Sequence, residues 1–257
     1  MTTAIISDIH GNAEALRIVL ADIEARGIER IICLGDIVGY GPQPLECVDL
    51  VAERCAWSLI GNHDFAVLYE PTNFNPGAEQ AAFWTRDQFD AEPEESARAR
   101  RYDFFGRLRV RVVEQNEGCV PILAVHGSPR RPINEYIFPD DVMTAVDKMK
   151  QIFDLVDRVA LVGHTHVPGV FTDEPDFYPP GELGKMTYTF SEDEKAVINV
   201  GSVGQPRDHD PRASYAILHP DHVEFVRLEY DARKTAEMIY KIDALSDWLG
   251  DRLLEGR

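Results

Sequence analysis

The chain has 257 residues, 44% hydrophobic and 27% charged, with 44 acidic against 26 basic side chains for a net charge of −18. That length suffices for one large α/β domain with a sizeable core. The acidic balance argues against a protein built to grip nucleic-acid backbone, which needs clustered Lys and Arg, but not against a small phosphorylated ligand, because bound metal ions supply a local positive field.

Residues 3–7 form an apolar run that predicts a strand, broken by Asp8-Ile9-His10-Gly11-Asn12. Asn12 is suited to cap a helix in which Leu16, Val19, Leu20 and Ile23 share one face, and Gly27 ends it. A second apolar run, 31–34, meets Gly35-Asp36, and a turn-rich stretch leads through Pro44 into a helix over 44–54. A third strand is expected near 56–60, so the first quarter alternates strand and helix as in a parallel sheet. Residues 65–115 are polar with scattered aromatics and read as a helical cover over the mouth of a site, with 92–101 as a solvated helix face. Strands return at 120–125 and 158–162, with a helix at roughly 139–153 between them. The last third is β-rich, with runs near 168–172, 186–190, 195–200, 213–218 and 222–229, and a terminal amphipathic helix from about Asp231. The stretch 173–184, rich in Pro, Asp, Glu and Gly, is expected to be a flexible loop. No repeat or linker marks a boundary, so residues 1–257 are read as one domain.

Cys33, Cys47, Cys55 and Cys119 make no CxxC pair, and Cys33 lies inside an apolar run. Reduced thiols and a cytoplasmic location are the expectation. No window approaches a membrane span and no export signal is evident, so no membrane partner is expected. The oligomeric state is not legible.

Five short blocks carry the chemistry: Asp8-Ile9-His10, Gly35-Asp36, Gly61-Asn62-His63-Asp64, His126-Gly127 and Gly163-His164-Thr165-His166. Each follows an apolar run that reads as a strand, and loops after the C-terminal ends of parallel strands gather along one sheet edge. The gathered donors are oxygen and nitrogen with no thiolate, a set suited to first-row metals rather than a thiolate zinc site. They are too many for one ion, and a carboxylate bridging two metals accounts for the surplus. A metal-activated water attacking phosphorus follows, with a nearby imidazole protonating the leaving oxygen.

In this order the blocks resemble the five signature motifs of the calcineurin-like metallophosphoesterase superfamily, over residues 8–166. The resemblance implies an α/β fold, a four-layer αββα sandwich of two mixed β-sheets flanked by helices, with the β-rich remainder completing it. It implies that Asp8, His10, Asp36 and His166 hold a first metal, and that Asp36 bridges to a second completed by Asn62, His126 and His164. His63 would be the general acid, with Asp64 its partner favouring the protonated form. The cofactors implied are two divalent or trivalent ions from among Mn, Fe, Co, Ni and Zn, with manganese favoured. The implied reaction is hydrolysis of a phosphodiester, or of a phosphomonoester, in a small phosphorylated substrate.

One departure separates this chain from the superfamily's protein phosphatases. They carry Asp-Arg-Gly after the second motif, whose Arg contacts substrate phosphate; here the stretch reads Gly35-Asp36-Ile37-Val38-Gly39-Tyr40-Gly41-Pro42. This ranks a protein serine/threonine phosphatase or a dinucleoside polyphosphatase below a phosphodiesterase. The chain resembles instead the compact bacterial and archaeal members, in which a late Gly-Ser-Val-Gly-Gln-Pro-Arg segment, here Gly201 to Arg207, also recurs. Candidate substrate contacts are Asn12, Tyr40 and Arg207, with Ser202 as a further phosphate contact. Arg130 and Arg131 follow His126 closely and either reach an anionic substrate or sit in a solvated loop. A non-catalytic scaffold, the alternative from a different class, predicts lost ligands or an altered position 63, and neither is seen.

Overall fold

The computed structural model describes residues 2–115 and 119–257. Successive side chains of a strand point to opposite faces, and the central strands here are apolar on both. In β1 (Thr3–Ile6) and β2 (Arg30–Cys33), Ala4, Ile6, Ile31 and Cys33 face one core while Ile5 and Ile32 face another. The first of these cores is closed by Leu16, Val19 and Ile23 of helix α1 (Ala13–Ala25) and by Cys47, Val48 and Val51 of α2 (Pro44–Arg54).

The same alternation occurs in β6 (Val159–Val162), where Val159 and Leu161 face the shared core and Ala160 and Val162 the opposite side. That opposite side is covered by Met149, Ile152 and Phe153 of α7 (Val146–Phe153). The layers are therefore helix, sheet, sheet, helix. The two six-stranded sheets meet across the core that holds Ile5, Ile32, Leu34, Leu161, Ile198 and Phe225.

The first sheet joins β1, β2 and β3 (Trp57–Ser58), all parallel, to β11 (Ala213–Leu218), β12 (His222–Leu228) and β9 (Thr187–Thr189), which pair antiparallel. The second has β5 (Ile122–Val125), β6 and β10 (Ala196–Asn199) in parallel, flanked antiparallel by β4 (Arg111–Glu114) on one edge and by β7 (Gly169–Thr172) and β8 (Asp176–Tyr178) on the other. The loops with the chemical blocks thus leave two sheets, not one.

Four expectations need correction. The cover comprises α3 (Asn62–Leu68), α4 (Pro76–Asp90) and α5 (Glu95–Gly106), but its end is the edge strand β4, whose Val112 is buried while Val113 is exposed. The stretch 173–184 is not plain loop: it contains β8, with Phe177 against Phe171, and a 3₁₀ turn at Pro180–Glu182. The terminal helix is two, α8 (Ala232–Ile239) and α9 (Asp247–Glu255), because the chain turns between them to bring Ile239, Leu245, Leu249 and Leu253 into one cluster with Tyr40. The helix expected over 139–153 is likewise split at Ala145 into α6 (Asp141–Thr144) and α7. Among the described residues no helix is long and apolar enough to cross a membrane.

Candidate metal centre

The loops after β1 and β2 are zipped together by backbone hydrogen bonds: Asp8 N–H to Gly35 O (3.0 Å), His10 N–H to Asp36 O (3.0 Å) and Gly11 N–H to Ile37 O (3.0 Å). Within this frame Asp8, His10, Asp36, His164 and His166 all have φ between 49° and 64°, the left-handed region. Each such non-glycine residue costs on the order of 1–2 kcal/mol, and the surrounding hydrogen bonds hold it there. Two glycines let backbone approach the carboxylates closely. A Cβ on Gly61 would lie 2.0 Å from Asp36 Oδ1, and one on Gly163 would lie 2.5 Å from Asp8 Oδ2.

The side chains converge as two sets sharing one member. Ligand atoms of Asp8, His10, Asp36 and His166 lie within 4.8 Å of one another, as do those of Asp36, His126 and His164. Asp36 Oδ2 is 3.6 Å from His10 Nε2 and 3.3 Å from His126 Nε2, so one carboxylate oxygen stands between the sets. Asp8 Oδ1 is 3.2 Å from His166 Nε2, and Asn62 Oδ1 is 3.3 Å from His126 Nε2.

Three rings are held from behind. His10, His126 and His166 each direct Nδ1 at a backbone carbonyl, of Val38 (3.1 Å), Leu34 (2.9 Å) and Gln205 (2.5 Å) respectively. A carbonyl only accepts, so Nδ1 carries a proton in each, and in His10 and His166, which burial keeps neutral, Nε2 is left with a lone pair aimed inward. His10 Nε2 and His166 Nε2 then face each other at 3.1 Å as two acceptors, an arrangement that a cation between them resolves. His164 Nε2 is buried with no hydrogen-bond partner among the described residues. Orphaned or opposed lone pairs beside buried carboxylates fit metal ions.

The electrostatics agree. Burial holds His10 well below its ordinary value, lowers His166, and pushes His164 down to about 3, so these rings are neutral donors. Burial pushes Asp8 and Asp36 up, but the neighbouring imidazoles, His166 first for Asp8 and His126 first for Asp36, outweigh it and keep both ionised. His126 is raised to about 9: its burial opposes the charge, but Asp36 leads the carboxylates that favour it. A proton there answers the positive charge the cluster demands.

Other residues from the sequence reading fall less evenly. His63 borders a cleft of about 170 Å³, together with Tyr40, Asn62, Phe74, Tyr136 and His164. Its ring lies 4.3 Å from that of Tyr40 and 4.7 Å from Phe74, its N–H donates to Asp36 Oδ1 (2.8 Å), and burial pushes the ring down to about 4. The expected pairing with Asp64 is not present. Asp64 instead accepts the backbone N–H groups of Asp36, Ile37, Val38 and Gly61 at 2.8–3.3 Å, binding the second loop to the start of α3, while His63 Nδ1 has no hydrogen-bond partner among the described residues.

Asn12 is not open to substrate either. Its Oδ1 accepts from Ala15 N–H and the Thr235 hydroxyl (3.1 Å each), and its Nδ2 donates to Gly204 O (2.9 Å) and Tyr230 Oη (3.2 Å). Ser202 is likewise spent, donating to Asp8 O (2.7 Å) and accepting from Gln205 N–H. Arg130 is clamped by Glu135 at 2.6 Å. Tyr40 and Arg207 do reach the site: Tyr40's ring is 4.8 Å from His10's, and the Arg207 guanidinium is 6.0 Å from Tyr40's ring.

The sequence reading overlooked Tyr136, stacked on His164 at 3.8 Å, whose only signal was its place in the loop after His126. It also overlooked Arg252 on α9, a charged residue among Leu245, Leu249 and Leu253 on an otherwise apolar face.

The calcineurin-like phosphoesterase superfamily domain matches residues 1–222. The chain is 40% identical over 259 residues to an uncharacterised protein of Methanocaldococcus jannaschii, across 99% of this chain and 98% of that one. Its structure is similar to a metallophosphoesterase from Sphaerobacter thermophilus, with 37% identity, a TM-score of 0.81, and 100% of this chain and 99% of that one covered. A protein of Pyrococcus horikoshii shares the fold at 20% identity and a TM-score of 0.74, with 100% and 98% covered.

Proposed function

Since the chain belongs to the calcineurin-like phosphoesterase superfamily, and so is a metal-dependent hydrolase of phosphoric esters, we propose that it cleaves a phosphodiester, or a phosphomonoester, in a small phosphorylated compound. The observation that supports this most is Asp36 Oδ2, standing between the imidazoles of His10 and His126 and joining two donor sets. In this reading Asp8, His10, Asp36 and His166 hold one ion, and Asp36, Asn62, His126 and His164 hold the other. Oxygen and imidazole donors without thiolate suit manganese first, then Fe, Co, Ni or Zn. Bound there, such ions supply Lewis acidity toward phosphoryl oxygens and lower the pKa of water toward neutrality.

The chain's own residues do the rest. Asp8 and Asp36 present ionised oxygens held in place by the N–H groups of His164 and His63. His63, on the wall of the cleft beside Asn62 and His164, is kept neutral by burial in the free site, and delivers a proton to the leaving oxygen once a bound anionic phosphoryl group favours its imidazolium form. Asp64 acts one step back by fixing the loop that carries Asp36. Tyr40, Phe74 and Tyr136 narrow the cleft with aromatic walls, which favours a compact substrate. Buried thiols such as Cys33 and Cys47 are in keeping with a reducing, cytoplasmic setting.

The test is hydrolysis of bis(p-nitrophenyl) phosphate and p-nitrophenyl phosphate by metal-stripped protein with added Mn²⁺, with bound metal counted by mass spectrometry. Two ions per chain and metal-dependent turnover are expected, and the diester to monoester ratio gives the preference. Two bound ions with no turnover of either ester would sink the catalytic reading in favour of a scaffold.

A further inference from the structure

The chain carries an excess of acid, yet among the described residues two arginines beside the metal centre pair with no Asp or Glu side chain. Arg207 and Arg252 form no ion pair within 4.0 Å among the described residues, whereas most other arginines on the surface do. Arg252 is only 9% exposed. Its Nε donates to Arg257 O (2.6 Å), its guanidinium rests on Trp248 at 4.3 Å, and it lies 5.9 Å from the ring of Tyr40. Arg207 approaches the same ring at 6.0 Å, contributes Nε and Nη2 to Gln205 Oε1 (3.3 and 2.8 Å), and is tied to the centre by its N–H to His166 O (3.2 Å). Tyr40 in turn touches both His10 and His63.

Burying a guanidinium without a counter-ion is costly, and two close together more so. Burial and the charge of Arg207 push Arg252 down to about 10. Neither group meets an acidic side chain, and guanidinium forks match phosphoryl oxygens in shape and charge. The scissile phosphate is already served by the metal set, one aromatic ring away.

We propose that Arg207 and Arg252, both beside the Tyr40 ring, bind a second phosphoryl group of the substrate that is not itself cleaved. This deepens the phosphoesterase reading and rests on it: the substrate class becomes a phosphoester with a second phosphate close to the scissile one. It also answers the ranking drawn from the missing Arg after Asp36. Here the cations come from the far end of the chain, Arg252 from a helix beyond the 1–222 family match.

Two measurements test it. In the first, Mn-loaded protein is titrated calorimetrically with inorganic phosphate, pyrophosphate and tripolyphosphate, a readout independent of turnover. At least one of the longer anions should bind tenfold or more tighter than phosphate, and Arg252→Gln and Arg207→Gln should each shrink that advantage by about tenfold. In the second, thymidine 5′-(p-nitrophenyl phosphate) is compared with the same ester carrying a 3′-phosphate. The parent protein should show the higher kcat/KM for the bisphosphate, and Arg252→Gln should lower the ratio, with Arg252→Lys restoring part of it. Equal binding of all three anions, or a proportional loss toward every ligand in both glutamine variants, overturns the proposal. Absence of turnover with the calorimetric advantage intact would count against the phosphoesterase reading and leave the subsite standing.

Discussion

Replacing Asn12 with alanine is expected to damage stability rather than substrate affinity. The side chain makes four hydrogen bonds and is 1% exposed. Its cap on α1 contributes about 1 kcal/mol. Its loss also leaves the buried Thr235 hydroxyl and the Gly204 carbonyl without partners, at about 1–3 kcal/mol each. Some of that is recovered by water or relaxation, so a net loss of roughly 3–5 kcal/mol is expected. For a chain of this size that lowers Tm by roughly 6–20 °C. The assay is calorimetric or dichroism-monitored melting of metal-free protein, which removes any contribution from metal affinity. Asn12→Asp, which keeps the acceptor for the cap and for Thr235 but loses the donor to Gly204, should fall between the two. A Tm within about 2 °C of the parent, with the defect appearing instead as a raised KM, would refute the argument and return Asn12 to the substrate side.

Four other outcomes are expected. Asp36→Asn keeps the volume but not the charge, so the metal count should drop from two to at most one and kcat/KM by more than about a hundredfold; full occupancy would contradict the bridging role. Gly61→Ala sets a Cβ 2.0 Å from Asp36 Oδ1 and 2.4 Å from Asp36 N, costing about 1–3 kcal/mol and one metal, both measurable by melting and metal analysis. His63→Gln should lower kcat by roughly 10²–10⁴-fold for an alkyl ester but much less for a p-nitrophenyl ester, whose leaving group needs no proton. Equal losses on both esters would argue against a proton donor. Chelation should lower Tm, because ions present at a hundred times their Kd add about 2.7 kcal/mol; an unchanged melt would mean the cluster holds no metal.

The sequence displayed what is local. Asp8, Asp36, Asn62, His126 and His164 sit just after β1, β2, β3, β5 and β6, and each of those strands was visible as an apolar run. Harder to see was anything set by contacts across the chain. Asn12 looked available because its partners, Gly204, Tyr230 and Thr235, lie nearly two hundred residues or more away. Asp64 looked like a partner for its neighbour His63, but a carboxylate at the third position of a short helix turns back to amides of the preceding loops. The strand β8 hid among turn residues because an edge strand needs only one apolar anchor, here Phe177. Arg252 had no motif at all; its meaning depends on α9 folding back over Tyr40.

The division of the ligands between two sheets has a consequence for how the molecule matures. Asp8, His10, Asp36 and Asn62 are supplied by the first sheet, and His126, His164 and His166 by the second. A nascent chain emerging from the ribosome therefore offers at most one of the two imidazoles of either set until His164 and His166 have been made and the sheets have docked. Full-strength metal capture comes only at that late moment, since affinity requires the assembled site. If the proposed ligands hold two ions, tightly held metal would mark molecules that have finished folding, and its arrival would latch the two halves of the sandwich together.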